Sequence, residues 1–290
     1  MALSAFAGGL LNATIPRVSD RFSTSTPTTI PFVSRYNTTF HIERAKLERA
    51  ADFVPPSTVT SSPTEPVTLS ENDDTLELLF RFVYCEVHVD LDAIPFRSVA
   101  ELAEAAEKYM VYSAMTVSYL YMKSHANENA LEVFEFAAKH NHRDLLNIAA
   151  PYTIGSDLRF LEPKVSPSFV LPWVNFNNKY QQIAQRCMYV LDVKRNVHRW
   201  DHIEPDDEDD TVQPCGLGDD EEETWGWLKR EVTHALFMSG GCALLDLDKV
   251  FTSEMLYSLE YCKFCDQTLR YWKRELKRQV AGVRAFTTFM

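Results

Sequence analysis

The chain has 290 residues, of which 46% are hydrophobic and 12% aromatic, which is enough to bury the core of one or two domains and excludes wholesale disorder. The formal charge is −12, but residues 204–210 and 219–223 carry eleven acids and no base, so the remainder has a formal charge of −1. A near-neutral body disfavours nonspecific binding to nucleic acid through net charge.

The cysteines and the hydropathy pattern indicate the cellular compartment in which the protein is expected. Six cysteines are scattered along the chain, which is typical of thiols in a reducing environment. No apolar run approaches the roughly 20 residues of a membrane helix. We therefore expect a soluble protein of the cytoplasm, the nucleus or both, without a membrane partner.

Composition assigns residues 1–27 to a disordered tail, because Ser, Thr and Pro dominate its later part and bury their backbone poorly. Ile30 to Ser34 and Thr38 to Ile42 are β-branched and aromatic runs around a turn, and they predict a hairpin. Pro31 favours an edge position for the first strand, since proline cannot donate to a β-ladder. Val67 to Ser70 predicts a third short strand.

Helices dominate the following residues. Asp73 or Asp74 is placed to cap a helix with apolar residues at i, i+3, i+4 and i+7. Ser98 and Glu101 have the spacing of a capping box and predict the start of the next helix. Further helices are predicted over residues 43–53, 112–123, 128–139 and 144–150. The fold class is therefore α+β, with a short three-stranded sheet packed with helices over residues 28–124 and a helical extension over 125–155.

Residues 156–290 predict a mostly α-helical C-terminal region with an acidic loop over residues 204–223. Three prolines between residues 163 and 172 favour a loop before the first helix of this region. Helices are predicted over residues 178–197, 224–237 and 252–280.

Motifs for catalysis are missing from the sequence. It contains no GxxxxGK[ST], GxGxxG, GxSxG or HExxH pattern. The glycines at 216 and 218 precede the acids 219–223, whose charges would repel a phosphate. We therefore expect no enzymatic activity and no catalytic residues.

One pair of motifs has the spacing of metal ligands. Cys262 and Cys265 form a CxxC pair, and His198 and His202 stand one helical turn apart. Together they would supply four ligands to a structural zinc ion, the one cofactor that we consider. The alternative is that the cysteines are buried thiols and the histidines lie on the surface.

The last predicted helix is amphipathic and basic. One of its faces carries Leu269, Trp272, Leu276 and Val280. The other face carries the basic residues Arg270, Lys273, Arg274, Lys277 and Arg278. Such a helix is typical of a core-docked element with a solvated basic face, although Lys273, Lys277 and Arg278 are also candidates for contacting nucleic acid.

Three parts of the sequence point to a known family, and they are Phe40, Ile42, Arg44, Leu47 and Phe53, then TLELLFRFVYCE from Thr75 to Glu86, and ELAEAAEKYMVYSAM from Glu101 to Met115. In these residues and in the order of its predicted elements, the chain resembles the BTB/POZ domain, in particular the basidiomycete (fungal) type. The segment from Leu131 to Ala150 is similar to the start of a BACK region, which often follows a BTB domain.

This resemblance implies a protein-binding adaptor or scaffold, and in particular a substrate adaptor for a cullin-type ubiquitin ligase. The candidate interaction residues are Phe53, Glu65, Leu69, Thr75, Leu78 and Tyr84. Homodimerisation stays open, because Gly8, Gly9 and Pro16 interrupt the N-terminal helix that many BTB dimers exchange. The alternative function is a nuclear regulatory protein that contacts nucleic acid through the basic C-terminal helix, which the near-neutral charge of the remainder disfavours.

Overall fold

The computed structural model describes residues 16–52, 66–86, 89–157, 159, 165–198, 221–238, 242–259 and 262–290, without the side chains of 188–198, 221, 222, 263 and 264. Two compact units divide the chain, Met1–Ser124 and His125–Met290. The first is mixed α and β with a small sheet, and the second is helical in its described part. The α+β fold class is compatible with this architecture.

The first unit is built on a four-stranded sheet, and its strands are β1 (Arg17–Val18), β2 (Thr29–Val33), β3 (Thr38–Glu43) and β4 (Val67–Thr68). The strand order is β1-β3-β2-β4. The predicted hairpin is confirmed, since β2 and β3 pair antiparallel, with Phe32 opposite Phe40 and Asn37 in the left-handed conformation at the turn (φ 66°). The outer strands pair parallel to the hairpin.

The prediction of three strands after a tail that ends at residue 27 is wrong on two counts. Strand β1 adds a fourth strand, and Phe22 beyond it is 5% exposed. The Phe22 ring contacts those of Phe80 and Tyr84 at centroid distances of 5.9 and 5.2 Å. A two-residue strand is too short to show alternation in the sequence, so the burial of this segment is set by long-range contacts.

Pro31 does not mark an edge strand, because β2 lies between β3 and β4. The N–H of His41, opposite Pro31, donates to the Phe22 carbonyl on the far side of β3 at 2.8 Å. The Pro31 nitrogen therefore faces away from β3, and the pairing with β4 begins only at Phe32. Proline is tolerated in this central strand because no ladder bond is required of it.

The helices of the first unit are α1 (Arg44–Ala50), α2 (Asp73–Val83), α3 (Phe96–Tyr109) and α4 (Tyr112–Ser124). Helix α2 is the most buried, with Leu76, Leu79, Phe80 and Val83 each at most 2% exposed. The Phe80 ring lies 5.5 Å from the rings of both Phe32 and Phe40, measured between centroids. The core of the unit therefore lies between the hairpin and α2.

A polar cluster joins the start of α2 to the end of α3. Glu71 accepts hydrogen bonds from Lys108 Nζ at 2.7 Å and from the Tyr109 hydroxyl. Desolvation would raise the pKa of Glu71, but these two donors outweigh it, so its pKa lies below the ordinary value. Burial and the hydrogen bond to Glu71 raise the pKa of Tyr109 to about 12.

The α-helices named in the described part of the second unit are α5 (Ala130–Lys139), α6 (Arg143–Ala149), α7 (Pro167–His198), α8 (Glu221–Met238), α9 (Leu247–Val250), α10 (Ser253–Tyr257) and α11 (Lys263–Ala281). Short 3-10 helices cover Ala150–Thr153, Cys242–Leu245 and Phe286–Thr288. The Phe286 ring lies 5.1 Å from the ring of Phe134 and 5.6 Å from that of Phe176. Helix α11 buries Leu269, Trp272 and Leu276 at 2% exposure or less.

Helix α7 begins eleven residues before its predicted start and contains Pro172. The loop predicted for this stretch is wrong because buried aromatic residues recur at helical spacing through the proline. These residues are Phe169, Trp173, Phe176 and Tyr180. Two hydrogen bonds fix the region, from Trp173 Nε1 to Thr153 Oγ1 at 2.8 Å and from the Gly155 N–H to Asn177 Oδ1 at 3.1 Å.

The prediction of one continuous helix over residues 252–280 is also wrong, since this stretch forms the two helices α10 and α11.

Candidate protein-binding groove

A groove of about 300 Å³ opens along α2 in the first unit. Its lining comprises Asp74, Thr75, Glu77, Leu78, Arg81, Ile94 and Ser98. Four of the five members from α2 stand at i, i+3, i+4 and i+7 and form one helical face, and Thr75 stands at i+1 beside it. The connection to α3 and the first turn of α3 complete the groove. We call this site the α2 groove.

Hydrogen bonds fix the start of α2 and so fix the groove. Asn72 is the N-cap, because its side chain accepts from the Thr75 N–H at 2.7 Å, and it also donates to Glu101 at 2.7 Å. The predicted caps Asp73 and Asp74 do not play this part. Asp73 instead accepts from the hydroxyls of Ser34 and Thr38, which ties α2 to the hairpin.

The predicted capping box is also wrong. Helix α3 begins at Phe96 after Pro95, so Ser98 already lies inside the helix. Glu101, the predicted partner of Ser98, accepts a hydrogen bond from Asn72 and forms an ion pair with Arg97 at 3.5 Å. Ser98 therefore lines the groove instead of capping a helix.

The rim of the α2 groove is charged, and part of that charge is neutralised. Glu86 receives Arg21 Nη1 at 2.6 Å and Arg81 Nε at 2.9 Å, and Arg21 also lies 3.8 Å from Glu77. Desolvation would raise the pKa of Glu86, but the hydrogen bonds from both arginines hold its pKa below the ordinary value. Arg81 is thus committed to Glu86, whereas the exposed Asp74 carboxylate has no hydrogen-bond or ion-pair partner among the described residues.

The arrangement suits binding better than catalysis. Leu78 and Ile94 give the groove an apolar floor, and Asp74 and Glu77 give it an acidic rim. A partner segment that inserts an apolar side chain and places a basic residue beside it would satisfy both features.

The predicted interaction residues do not share one environment: some line the α2 groove, one lies in the hydrophobic core, and two lie outside the described residues. Thr75 and Leu78 line the α2 groove, although they are only 3% and 8% exposed. Leu69 is 5% exposed and lies in the hydrophobic core, so its assignment to an exposed surface is wrong. Phe53 and Glu65 lie outside the described residues.

Tyr84 is the last of the predicted interaction residues, and it contacts three different parts of the first unit. Its hydroxyl accepts from the Glu43 N–H at 3.1 Å, and Lys46 Nζ lies 4.7 Å from its ring centroid. Its ring also contacts Phe22. Burial raises the pKa of this hydroxyl above its ordinary value. Tyr84 therefore links β3, α1 and the N-terminal segment.

The four candidate zinc ligands are described only in part. Cys262 and Cys265 are 4% and 0% exposed, and Cys265 Sγ accepts from Trp225 Nε1 at 3.4 Å. The side chain of His198 and all of His202 lie outside the described residues. Within those residues, no group of three or more His, Cys, Asp or Glu side chains has the arrangement of a metal site.

The basic face of α11 is partly neutralised by acids of its own unit. Lys273 Nζ contacts Asp248 at 2.6 Å, and Arg278 forms two hydrogen bonds with Glu275. These bonds, with one from Gln279, hold the pKa of Glu275 at about 2. Lys277 is exposed. Of the three predicted contact residues, two are therefore engaged within the protein.

Sequence reasoning missed most of the groove residues. Asp74, Glu77 and Arg81 interrupt the apolar pattern of α2 at one face, and this spacing was the available signal. The sequence around Ile94 and Ser98 carries no such signal, because their place in the groove depends on how the chain returns from α2 to α3.

Comparison of the chain with protein-family models, with curated proteins and with solved structures finds no match. No helix in the described part of the chain has the length and the hydropathy needed to cross a membrane.

Proposed function

We propose that the chain is a non-enzymatic adaptor or scaffold that binds another protein through the α2 groove. The observation that carries this proposal is the combination of an apolar floor, formed by Leu78 and Ile94, with the unpaired carboxylate of Asp74 at the rim. An apolar centre with a polar border is the usual anatomy of a protein-binding surface. The rigid anchoring of α2 supports the proposal further, since a pre-organised site loses less entropy on binding.

The resemblance to BTB/POZ domains supports a more specific version, in which the partner is a cullin scaffold and the chain is a substrate adaptor of a ubiquitin ligase. Four of the seven lining residues, Thr75, Glu77, Leu78 and Arg81, belong to a segment that carries the resemblance, from Thr75 to Glu86. This version is a proposal about the partner, and the adaptor function does not depend on it.

The experiment uses the full chain and a charge reversal at the rim. Asp74→Lys with Glu77→Lys makes the groove basic, and the matched control Asp90→Lys with Asp92→Lys reverses two acids of the same unit outside the groove. Binding to a purified cullin is measured by biolayer interferometry. We expect the groove variant to weaken binding about tenfold or more and the control to bind like the unaltered chain.

Two results separate the versions of the proposal. If no cullin binds the unaltered chain, the cullin version is wrong. Affinity purification of the unaltered chain and of both variants then tests the adaptor function, because a true partner must be retained by the control and lost from the groove variant. Recovery of the same proteins with all three chains would refute the α2 groove as the binding site.

The alternative function, nucleic-acid binding through α11, is less well supported. Lys273 and Arg278 are bound to carboxylates of the same unit, and these bonds would compete with phosphate contacts. Neutralising Lys273, Lys277 and Arg278 together tests it, since unchanged retention on nucleic acid would count against this function.

A further inference from the structure

A second groove lies within the second unit, between α7 and the end of α11. Its volume is about 660 Å³, within the range of about 300–1,000 Å³ that binding pockets commonly have. Lys179, Gln182, Ile183 and Arg186 line it from α7, at i, i+3, i+4 and i+7. The opposite side comprises Arg278, Gln279, Gly282, Val283, Arg284, Thr288 and Phe289. We call this site the basic groove.

The charge of the basic groove is of one sign. Among the residues that the structure describes, four cations line it and no carboxylate does. Arg278 is satisfied by Glu275. Lys179, Arg186 and Arg284 are exposed, and none of them has an ion-pair partner within the described residues. Three like charges at one groove repel each other, and an anionic ligand would relieve that repulsion.

The floor of the basic groove is apolar, and this narrows the class of ligand. Ile183 is 8% exposed, and Val283 and Phe289 are half-buried. The Phe289 ring packs edge-on against Phe176 at 5.5 Å between centroids, so the protein fixes its position. A bare phosphate or sulfate has no apolar surface to cover such a floor, whereas a peptide offers carboxylates and an apolar side chain together.

The spacing of the cations also fits a peptide. Lys179 and Arg186 lie seven residues apart on one helical face, which is about 10 Å along the axis. An extended peptide advances about 3.3 Å per residue, so two acids three residues apart, with an apolar residue between them, would span this distance. We propose that the basic groove binds an acidic segment of a partner protein, in which carboxylates flank an apolar residue. This site lies in the second unit and does not depend on the function proposed for the α2 groove.

The test measures fluorescence polarisation of a short labelled peptide with repeats of Asp-Leu-Glu, titrated with the full chain. Lys179→Glu with Arg186→Glu reverses the α7 side, and both replacements keep good helix formers. We expect binding to weaken about tenfold or more. The matched control is Arg143→Glu with Lys249→Glu, two exposed cations of the same unit outside the groove, and we expect it to bind like the unaltered chain.

A second variant distinguishes a loss of binding from a folding defect. Arg284→Glu lies outside the regular helices and should weaken the same peptide, while circular dichroism verifies that the helical signal is retained. A peptide with Ser in place of Leu tests the floor, and we expect it to bind more weakly than the parent. Equal affinity of the two peptides would refute the role of Ile183, Val283 and Phe289.

The remaining control tests whether the chain's own acidic run over residues 204–210 competes for the basic groove. A variant in which the acids of residues 204–210 are replaced by Asn or Gln should bind the peptide at least as tightly as the unaltered chain. The proposal is overturned if neither chain shows saturable binding, or if the charge reversals leave binding unchanged. It is equally overturned if a labelled oligothymidine binds in a groove-dependent way while the peptide does not.

Discussion

The two units treat their charged side chains differently. The first unit has ion pairs between residues far apart in the sequence, as in Arg21 with Glu86 and Lys108 with Glu71, beside local pairs such as Arg81 with Glu86. In the second, the described pairs of α11 are mostly local, as in Arg270 with Asp266, and the basic groove retains three cations without a described acid. Long-range ion pairs therefore link distant parts of the first unit, whereas three cations at one groove of the second unit have no described ion-pair partner.

The largest effect should come from the aromatic core of the first unit. Phe80→Ala removes a ring that is 2% exposed and contacts three other phenylalanines, and we expect a loss of about 3–5 kcal/mol in the free energy of unfolding. Denaturant titration of the full chain measures it. Tyr36→Ala, at a side chain that is 52% exposed, is the control and should change stability little. Equal effects of both would contradict the placement of the core.

The next largest loss of stability is expected from removing the hydrogen bonds at the start of α2. Asn72→Ala removes the N-cap bond to Thr75 and the bond to Glu101, so we expect a loss of about 1–2 kcal/mol. Ser98→Ala is the comparison, because a true capping box would make it costly, whereas its position inside α3 predicts a change near zero. Thermal melts of the two variants decide which residue caps a helix.

Tyr109→Phe deletes one donor to Glu71 and should cost about 1 kcal/mol near neutral pH. The folded pKa of about 12 lies above the ordinary value of 10.0, so folding favours the protonated hydroxyl. Its contribution is complete below about pH 10 and is lost as the pH rises toward 12. The stability of the unaltered chain should thus fall more steeply over this range than that of the variant, and parallel curves would contradict the prediction.

The smallest expected effect is on the acid side. The pKa of Glu71 is lowered by folding, so its contribution is present above its ordinary pKa and is lost as the pH falls through the folded value. Glu71→Gln should therefore be less stable than the unaltered chain at neutral pH, and the difference should narrow below about pH 4. Denaturant titrations at both pH values measure that difference, and a constant gap would show that charge is not its origin.

Local patterns predicted the elements that carry their own signal. The hairpin and α2 follow from alternation and from helical spacing, and both appear near the predicted positions. The sequence was least informative where long-range contacts decide, as at β1, at Pro172 within α7, and at Asn72, which caps α2 in place of a neighbouring acid. The basic groove shows the same limit, because its cations come from α7, from α11 and from the turn that follows α11.

Strand β1 and the residues after it cover one edge of the hairpin. It occupies the outer edge of β3, where the Ser19 N–H donates to the Thr39 carbonyl at 2.9 Å and the His41 N–H donates to the Phe22 carbonyl. A chain shortened to begin at residue 28 would expose these groups on β3 together with the aromatic surface that Phe22 covers. Open strand edges recruit strands from other molecules. The short segment before the hairpin therefore pairs backbone groups of β3 that would otherwise be open.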